Sequence, residues 1–466
     1  MNKSLSSLIK NTGILAISNF ASKIMIFFMV PIYTSILTTS EYGFFDLVIS
    51  SIRCLIPILT LNICDAVMRF GMDNENDISD VLAVGFKYVF ISYFSFFIIL
   101  VSSFLFGDNY IKENLVYIAL YFIFYILYEF TSQVAKALEE VSIMGKGGVI
   151  SAFISFTSTI LFLKFFKMQL KGFFLANILG QAIPAIYICY KLKIWKYIKK
   201  HKINKILEKE MLRYCIPLIF TALSWWVNSS FDKYIVTFMC GVSSNGLLSI
   251  AYKIPSILNI IQSIFIQAWQ ITAIIEYGKD GTNIFYGKIF IYINFVMTLA
   301  STGMIMLIKP IAFIMFKDDF YMAWKFVPFL LMSCVLNCAS GFLGPILSAA
   351  KDSKSMANSA IYGVILNILM NIVLIYYIGI QGATIATLIS SFAIYYFRKK
   401  AVGDSIKIEK YWKVILSWII ILFQSFAQIY FSNYIVQIVF VLMFLVINYE
   451  YIIEICKFIF KKKRSL

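Results

Sequence analysis

Apolar runs about as long as a bilayer is thick recur along this sequence, and they constrain its fold more than any other feature. A helix needs roughly 20 consecutive apolar residues to cross the hydrocarbon core, and about fourteen such runs can be read. They fall near 11–37, 43–64, 83–106, 114–135, 147–166, 172–190, 214–238, 247–272, 285–308, 327–347, 357–377, 380–397, 411–430 and 434–456. Tight turns around Lys171-Gly172 and from Gly379 to Gly382 join two of the pairs. Of the 466 residues, 61% are hydrophobic and 14% are charged, well below the charge of a soluble domain. In lipid every backbone polar group must be satisfied within the chain. The pattern therefore predicts an all-α integral membrane protein.

The net charge is +17, from 41 Lys and Arg against 24 Asp and Glu. A basic balance can signal nucleic acid, but these cations cluster between apolar runs and at the C-terminus. The largest cluster spans Lys191 to Arg213; others are Arg398 to Lys413 and Lys461 to Arg464. With both termini placed in the cytoplasm, the cytoplasmic segments hold a roughly fourfold excess of cations over the outer loops. Four cations, Lys23, Arg53, Lys233 and Lys253, lie within apolar runs. The eight cysteines form no CxxC pair and read as free core thiols. His201 is the single histidine, which argues against a His-based metal site or a Ser-His-Asp triad. There is no Walker-type GxxxxGK[ST] sequence. The first run is too long for a cleavable signal.

The chain also resembles itself. Ser40-Glu41-Tyr42-Gly43 opens the second run and Ser243-Ser244-Asn245-Gly246 the eighth; Gly172 with Ala176 recurs as Gly382 with Ala386. The offset suggests two pseudo-symmetric six-helix lobes, 1–195 and 196–400, joined by the basic segment at about 191–213. Residues 401–466 would add two helices and a basic tail. Repeats of this kind are typical of transporters that bind substrate near the midplane.

Ionisable residues inside a bilayer normally face protein or water. Asn19, Ser22 and Lys23 share a face of the first run. Asp46, Ser50, Arg53, Pro57 and Thr60 form one helical stripe in the second. Ser249, Lys253, Ser256, Ser263 and Gln267 form another in the eighth. Three cations on polar faces suit a diphosphate, which Arg can bind bidentately. Alternatively they pair with Asp46, Glu129 or Asp232. Tyr117, Tyr121, Tyr125, Tyr128 and Glu129 line the fourth run, either as sugar-binding groups or as core tyrosines. Asp232 with Asn367, Asn371, Thr384 and Thr387 offers hard oxygen ligands for Na⁺, or plain helix–helix hydrogen bonds.

The stretch Pro31 to Asp46 resembles the N-terminal signature of bacterial polysaccharide flippases of the Wzx type. These share a superfamily, the MOP flippases, with the MATE drug exporters and the lipid II flippase. Tyr214 to Pro217, Asp232-Lys233-Tyr234 and Gly246 to Pro255 resemble the start of the second lobe, and Asn367, Asn371, Gly379 to Ala383 and Ala386-Thr387 a later helix pair. The resemblance implies two six-helix lobes working by alternating access on an undecaprenyl-diphosphate-linked repeat unit. It implies diphosphate contacts at Lys23, Arg53 and Lys253, and Glu129 and Tyr125 of the fourth run are expected to meet the sugar. It implies an ion site at Asp232, Asn367, Asn371 and Thr387, with Asn371 where the lipid II flippase has a second carboxylate.

The expectation is a flippase of the cytoplasmic membrane, not an enzyme, needing no cofactor beyond Na⁺ or H⁺ as coupling ion. It would act as a monomer on O-antigen or capsule precursors, beside a polymerase and glycosyltransferases of the same pathway. A multidrug exporter would need a cavity rich in carboxylates. A polymerase or ligase would need a large outer loop, whereas 309–326, with Lys317, Asp318 and Asp319, is short.

Overall fold

The computed structural model describes residues 25–454 and 457, apart from 26, 74, 198–203 and 432. Among these the regular elements are all helices, with no strand. Eleven described helices are long and apolar enough to cross a membrane, so the chain is a multi-pass membrane protein. The other three expected runs differ for separate reasons. The first lies largely outside the described residues. The seventh forms a helix of 36 residues, Lys205–Cys240, whose charges, serines and asparagine dilute its apolar character. The last, Tyr434–Ile447, has 14 residues before a turn at Asn448. The chain divides into two compact units, the first ending at Phe231 and the second beginning at Asp232.

In the first unit a capping box starts helix α1 (Thr39–Leu59). The Glu41 N–H donates to the Thr38 hydroxyl at 3.2 Å, and the Thr38 N–H donates to the Glu41 carboxylate at 2.8 Å. Two orphan donors are thereby satisfied. Tyr33 stacks on Tyr42 at 5.1 Å, and Phe45 packs on Phe173 at 4.5 Å. The stretch Pro31 to Asp46 thus fixes where α1 starts and what it packs against. Pro57 withholds one N–H near the end of α1. Leu61 and Asn62 then adopt left-handed backbone, which ends the helix, and α2 (Ile63–Gly71) follows. The second apolar run is therefore two helices.

Helices α3 (Ile78–Phe106), α4 (Asn109–Ala137), α5 (Val141–Thr159) and α6 (Gln169–Leu192) complete the bundle before the long helix α7 (Lys205–Cys240). Helix α6 packs on α4 and α5, and α4 packs on α2. Pro184 in α6 frees the Gly180 carbonyl, and the Ser151 hydroxyl donates to it at 2.5 Å. The turn before α6 lies at 166–168, earlier than expected. Gly172 sits just inside α6, where a Cβ would come within 3.0 Å of Phe162.

The second unit contains α8 (Val242–Ala251), α9 (Pro255–Glu276), α10 (Thr282–Met306), α11 (Ile308–Met315), α12 (Val327–Ala349), α13 (Ser353–Ile378), α14 (Ile380–Val402), α15 (Tyr411–Tyr430) and α16 (Tyr434–Ile447). Pro255 has no N–H for the Ala251 carbonyl, so α8 stops and α9 begins anew. The stripe expected from Ser249 to Gln267 is consequently split between two helices. In the most apolar stretch of Asp318–Ala349, 83% of residues are buried, against 17% in α13. Helix α12 is thus the core of its unit, packed by α9, α10, α14 and α15. Trp269 of α9 stacks on Phe342 at 4.2 Å and donates to its carbonyl at 2.9 Å. Helices α13 and α14 form a hairpin through Gly379, at φ +60°; a Cβ on Gly382 would lie 2.3 Å from the Leu374 carbonyl carbon. Gly172 and Gly382, paired in the sequence, both open the second helix of a hairpin.

Candidate functional site

A partly open cavity of about 370 Å³ lies within the first unit. Its walls come from α1, α2, α4 and α7, with Arg53, Asn62, Asp65, Tyr125, Glu129, Trp225, Trp226, Ser229 and Ser230 among the lining residues. Arg53 projects from α1 one turn before Pro57. Its guanidinium lies beside Tyr125 and Tyr121, with Asp46 acting on it at longer range, and it forms no ion pair within 4 Å among the described residues. The Trp226 indole N–H donates to the Ser50 carbonyl at 2.7 Å. That bond ties α7 to α1 one turn from Arg53.

Two carboxylates share the cavity. Asp65 accepts from the Asn62 amide at 2.8 Å and from Gln133 Nε2 at 3.1 Å. The same Gln133 nitrogen donates to Glu129 at 3.2 Å, and Lys136 donates to Gln133 Oε1 at 3.1 Å. One amide therefore holds Asp65 and Glu129 side by side. The left-handed backbone at Leu61 and Asn62 gives α2 the start from which Asp65 reaches the cavity. Glu129 lies one turn beyond Tyr125 on α4, a rise of about 6 Å. The cavity is accordingly polarised along α4, with the cation at the level of Tyr125 and the carboxylates one turn on.

Arg53, Tyr125 and Glu129 stand together in this cavity. Tyr117 and Tyr121 pack in the helix bundle instead: Tyr117 stacks against Phe174 at 6.2 Å, and Tyr121 is buried. Lys23 lies outside the described residues. Lys253 sits half-buried in the turn between α8 and α9. Sequence reasoning missed Asn62, Asp65, Trp225 and Trp226. The adjacent tryptophans, followed by Ser229 and Ser230 in an apolar run, were the available signal for α7.

The second unit carries a separate polar cluster. The Tyr252 hydroxyl donates to Asp232 at 2.6 Å and lies 3.5 Å from the Thr387 hydroxyl. Asn371 donates to the Asn367 carbonyl and side-chain oxygens, both at 2.9 Å, and Asn367 donates to Ser390 at 3.3 Å. An apolar cluster of Val236, Leu248, Ile375 and Ala383 brings four helices together. One turn from each lies a polar residue on the same face: Asp232, Tyr252, Asn371 and Thr387 respectively. The directions agree, since Asp232 and Asn371 precede their apolar partners while Tyr252 and Thr387 follow theirs. The polar residues therefore form one layer. Thr384 is buried and donates to the Gln381 carbonyl, so it serves its own helix. Asn371 is fully buried, and its side-chain oxygen has no donor among the described residues.

The family model described as "Polysaccharide biosynthesis protein" matches residues 8–270. No curated protein matches the sequence. Among solved structures, the lipid II flippase MurJ in an inward closed conformation is similar, with a TM-score of 0.67 at 17% identity, covering 95% of this chain and 99% of that one. An inward-facing multidrug resistance MATE family transporter of the MOP superfamily has a TM-score of 0.63 at 13% identity, covering 83% and 94%. A MOP superfamily transporter from Pyrococcus furiosus has a TM-score of 0.52 at 14% identity, covering 90% and 94%. At these identities the likeness is one of fold.

Proposed function

The chain belongs to the polysaccharide biosynthesis protein family, and from that premise we propose that it is a flippase for undecaprenyl-diphosphate-linked oligosaccharides. It carries an O-antigen or capsular repeat unit from the cytoplasmic to the outer face of the cytoplasmic membrane by alternating access, and makes or breaks no bond. The observation that carries this reading is Arg53. Its guanidinium makes no ion pair within 4 Å among the described residues, with Asp46 acting on it only at longer range, so its cost at membrane depth falls when an anionic ligand visits it. A diphosphate fits its fork bidentately. Lys23 and Lys253 are further candidates for contact with the substrate's anionic groups, and Tyr125 and Glu129 are assigned to the sugar. The oxygens of Asp232 and Asn371, which are buried, and of Asn367 and Thr387, which are half-buried, suit a small coupling cation, Na⁺ or H⁺, whose gradient would drive transport. Both termini are assigned to the cytoplasm. The protein acts as a monomer beside the polymerase and glycosyltransferases of its pathway.

The test is Arg53→Ala, alone and with Lys253→Ala, in a deletion strain complemented to normal expression. Surface polysaccharide should disappear while complete lipid-linked repeat units accumulate on the cytoplasmic side. Normal polymer from the double variant would remove the diphosphate role.

One observation favours a second reading. Asp65 and Glu129 face the cavity, and carboxylates attract organic cations, as a multidrug exporter requires. In that case deletion leaves the polymer intact and raises susceptibility on a panel of cationic drugs.

A further inference from the structure

We propose, resting on the flippase reading, that the cavity of the first unit selects the sugar next to the diphosphate by its charge. It admits a neutral or amino-bearing sugar and rejects one that carries a carboxylate.

The separation of charges along α4 gives the first argument. Arg53 and Tyr125 line the cavity together, and Glu129 lies one turn further on, about 6 Å away along the helix. That is the scale on which a sugar ring follows the phosphate it is bonded to. With phosphate at Arg53, the first ring comes level with Asp65 and Glu129.

The chemistry of the two carboxylates gives the second. Gln133 donates to both, at 3.1 Å and 3.2 Å, so they are oriented by a neutral amide. No cation forms an ion pair with either among the described residues; Lys136 bonds to the Gln133 oxygen and acts on Glu129 through its charge alone. Each carboxylate oxygen keeps acceptor capacity for a sugar hydroxyl or ammonium. A uronate at this level would face two carboxylates, with Lys136 one step behind the amide that orients them.

Trp225 gives the third. Its neighbour Trp226 is fixed to the Ser50 carbonyl, whereas Trp225 lines the cavity and is 70% exposed, with no hydrogen bond holding its indole among the described residues. A free indole face beside carboxylates is the pairing that grips a sugar: the apolar ring face stacks while the equatorial hydroxyls donate.

The experiment uses the full chain in lipid nanodiscs and isothermal titration calorimetry. The probes are farnesyl diphosphate, its N-acetylglucosamine conjugate, and the same conjugate oxidised to the uronate at C6. The neutral conjugate should bind more tightly than farnesyl diphosphate, and the uronate at least about tenfold more weakly than the neutral conjugate. Asp65→Asn with Glu129→Gln should bring the two conjugates within about threefold of each other. Trp225→Ala should erase the advantage of the neutral conjugate over farnesyl diphosphate. Equal binding of neutral and uronate conjugates by the unaltered protein, a comparison that needs no variant, overturns the charge selection and leaves the flippase reading standing. Binding of tetraphenylphosphonium, with none of the three diphosphates bound, overturns both.

Discussion

Tyr252 donates its hydroxyl proton to the Asp232 carboxylate at 2.6 Å. Asp232 is buried, and the side-chain oxygen of Asn371, which accepts from no donor among the described residues, belongs to the same layer. If Na⁺ binds there, melting of the detergent-solubilised protein should rise with NaCl but not with choline chloride. At a hundredfold excess over Kd the stabilisation is about 2.7 kcal/mol. Asp232→Asn should flatten the response. Tyr252→Phe should keep it while lowering baseline stability by about 1–3 kcal/mol. A full Na⁺ response in Asp232→Asn would move the cation elsewhere.

Much of this was legible from sequence, because lipid leaves a chain few options. Apolar length placed the helices, whereas the grouping of Asp232 with Asn371 and Thr387 came from their oxygen chemistry and from the family resemblance. Backbone breaks were harder to read. The steps from Asp46 to Thr60 describe one stripe only while the helix continues. After the left-handed residues Leu61 and Asn62, the register restarts, and Asp65 joins a cavity that the stripe would not assign to it. Pro255 divides the Lys253 stripe in the same way. Contacts made across distant helices, such as Trp226 with Ser50 or Gln133 with Asp65, leave no periodic trace.

The hairpin of α13 and α14 predicts an asymmetry between two glycines. A Cβ on Gly382 would lie 2.3 Å from backbone of Leu374, whereas one on Gly303 meets nothing within 4 Å. Gly382→Ala should cost about 1–3 kcal/mol or block folding. Gly303→Ala should be neutral or stabilising by up to about 1 kcal/mol. Fluorescence-detected size exclusion after a heat ramp checks both, and equal behaviour of the two variants would contradict the close approach.

The two tryptophans of α7 should likewise differ. Trp226→Phe removes the donor to Ser50, whose carbonyl lies on a buried residue, at about 1–3 kcal/mol. Trp225→Phe removes no hydrogen bond and should stay within about 0.5 kcal/mol in the absence of ligand. Chemical denaturation in mixed micelles separates them.

Glu208 provides a pH test at the membrane edge. It accepts from Lys87 at 2.6 Å and from Tyr88 at 2.7 Å, and these bonds, with the Lys87 charge, hold its carboxyl below the usual range. A depressed carboxyl binds fewer protons when folded than when unfolded. Its stabilisation is therefore complete above the unfolded value of about 4.3 and fades as pH falls through the lower folded value. Melting of the protein and of Glu208→Gln should differ by a constant gap from pH 7 to about pH 5, and the gap should close below about pH 4. Because Lys87 is partly exposed, added salt should narrow the gap at neutral pH. A gap that ignores both pH and salt would mean that Glu208 joins α3 to α7 by packing, with no contribution from its charge.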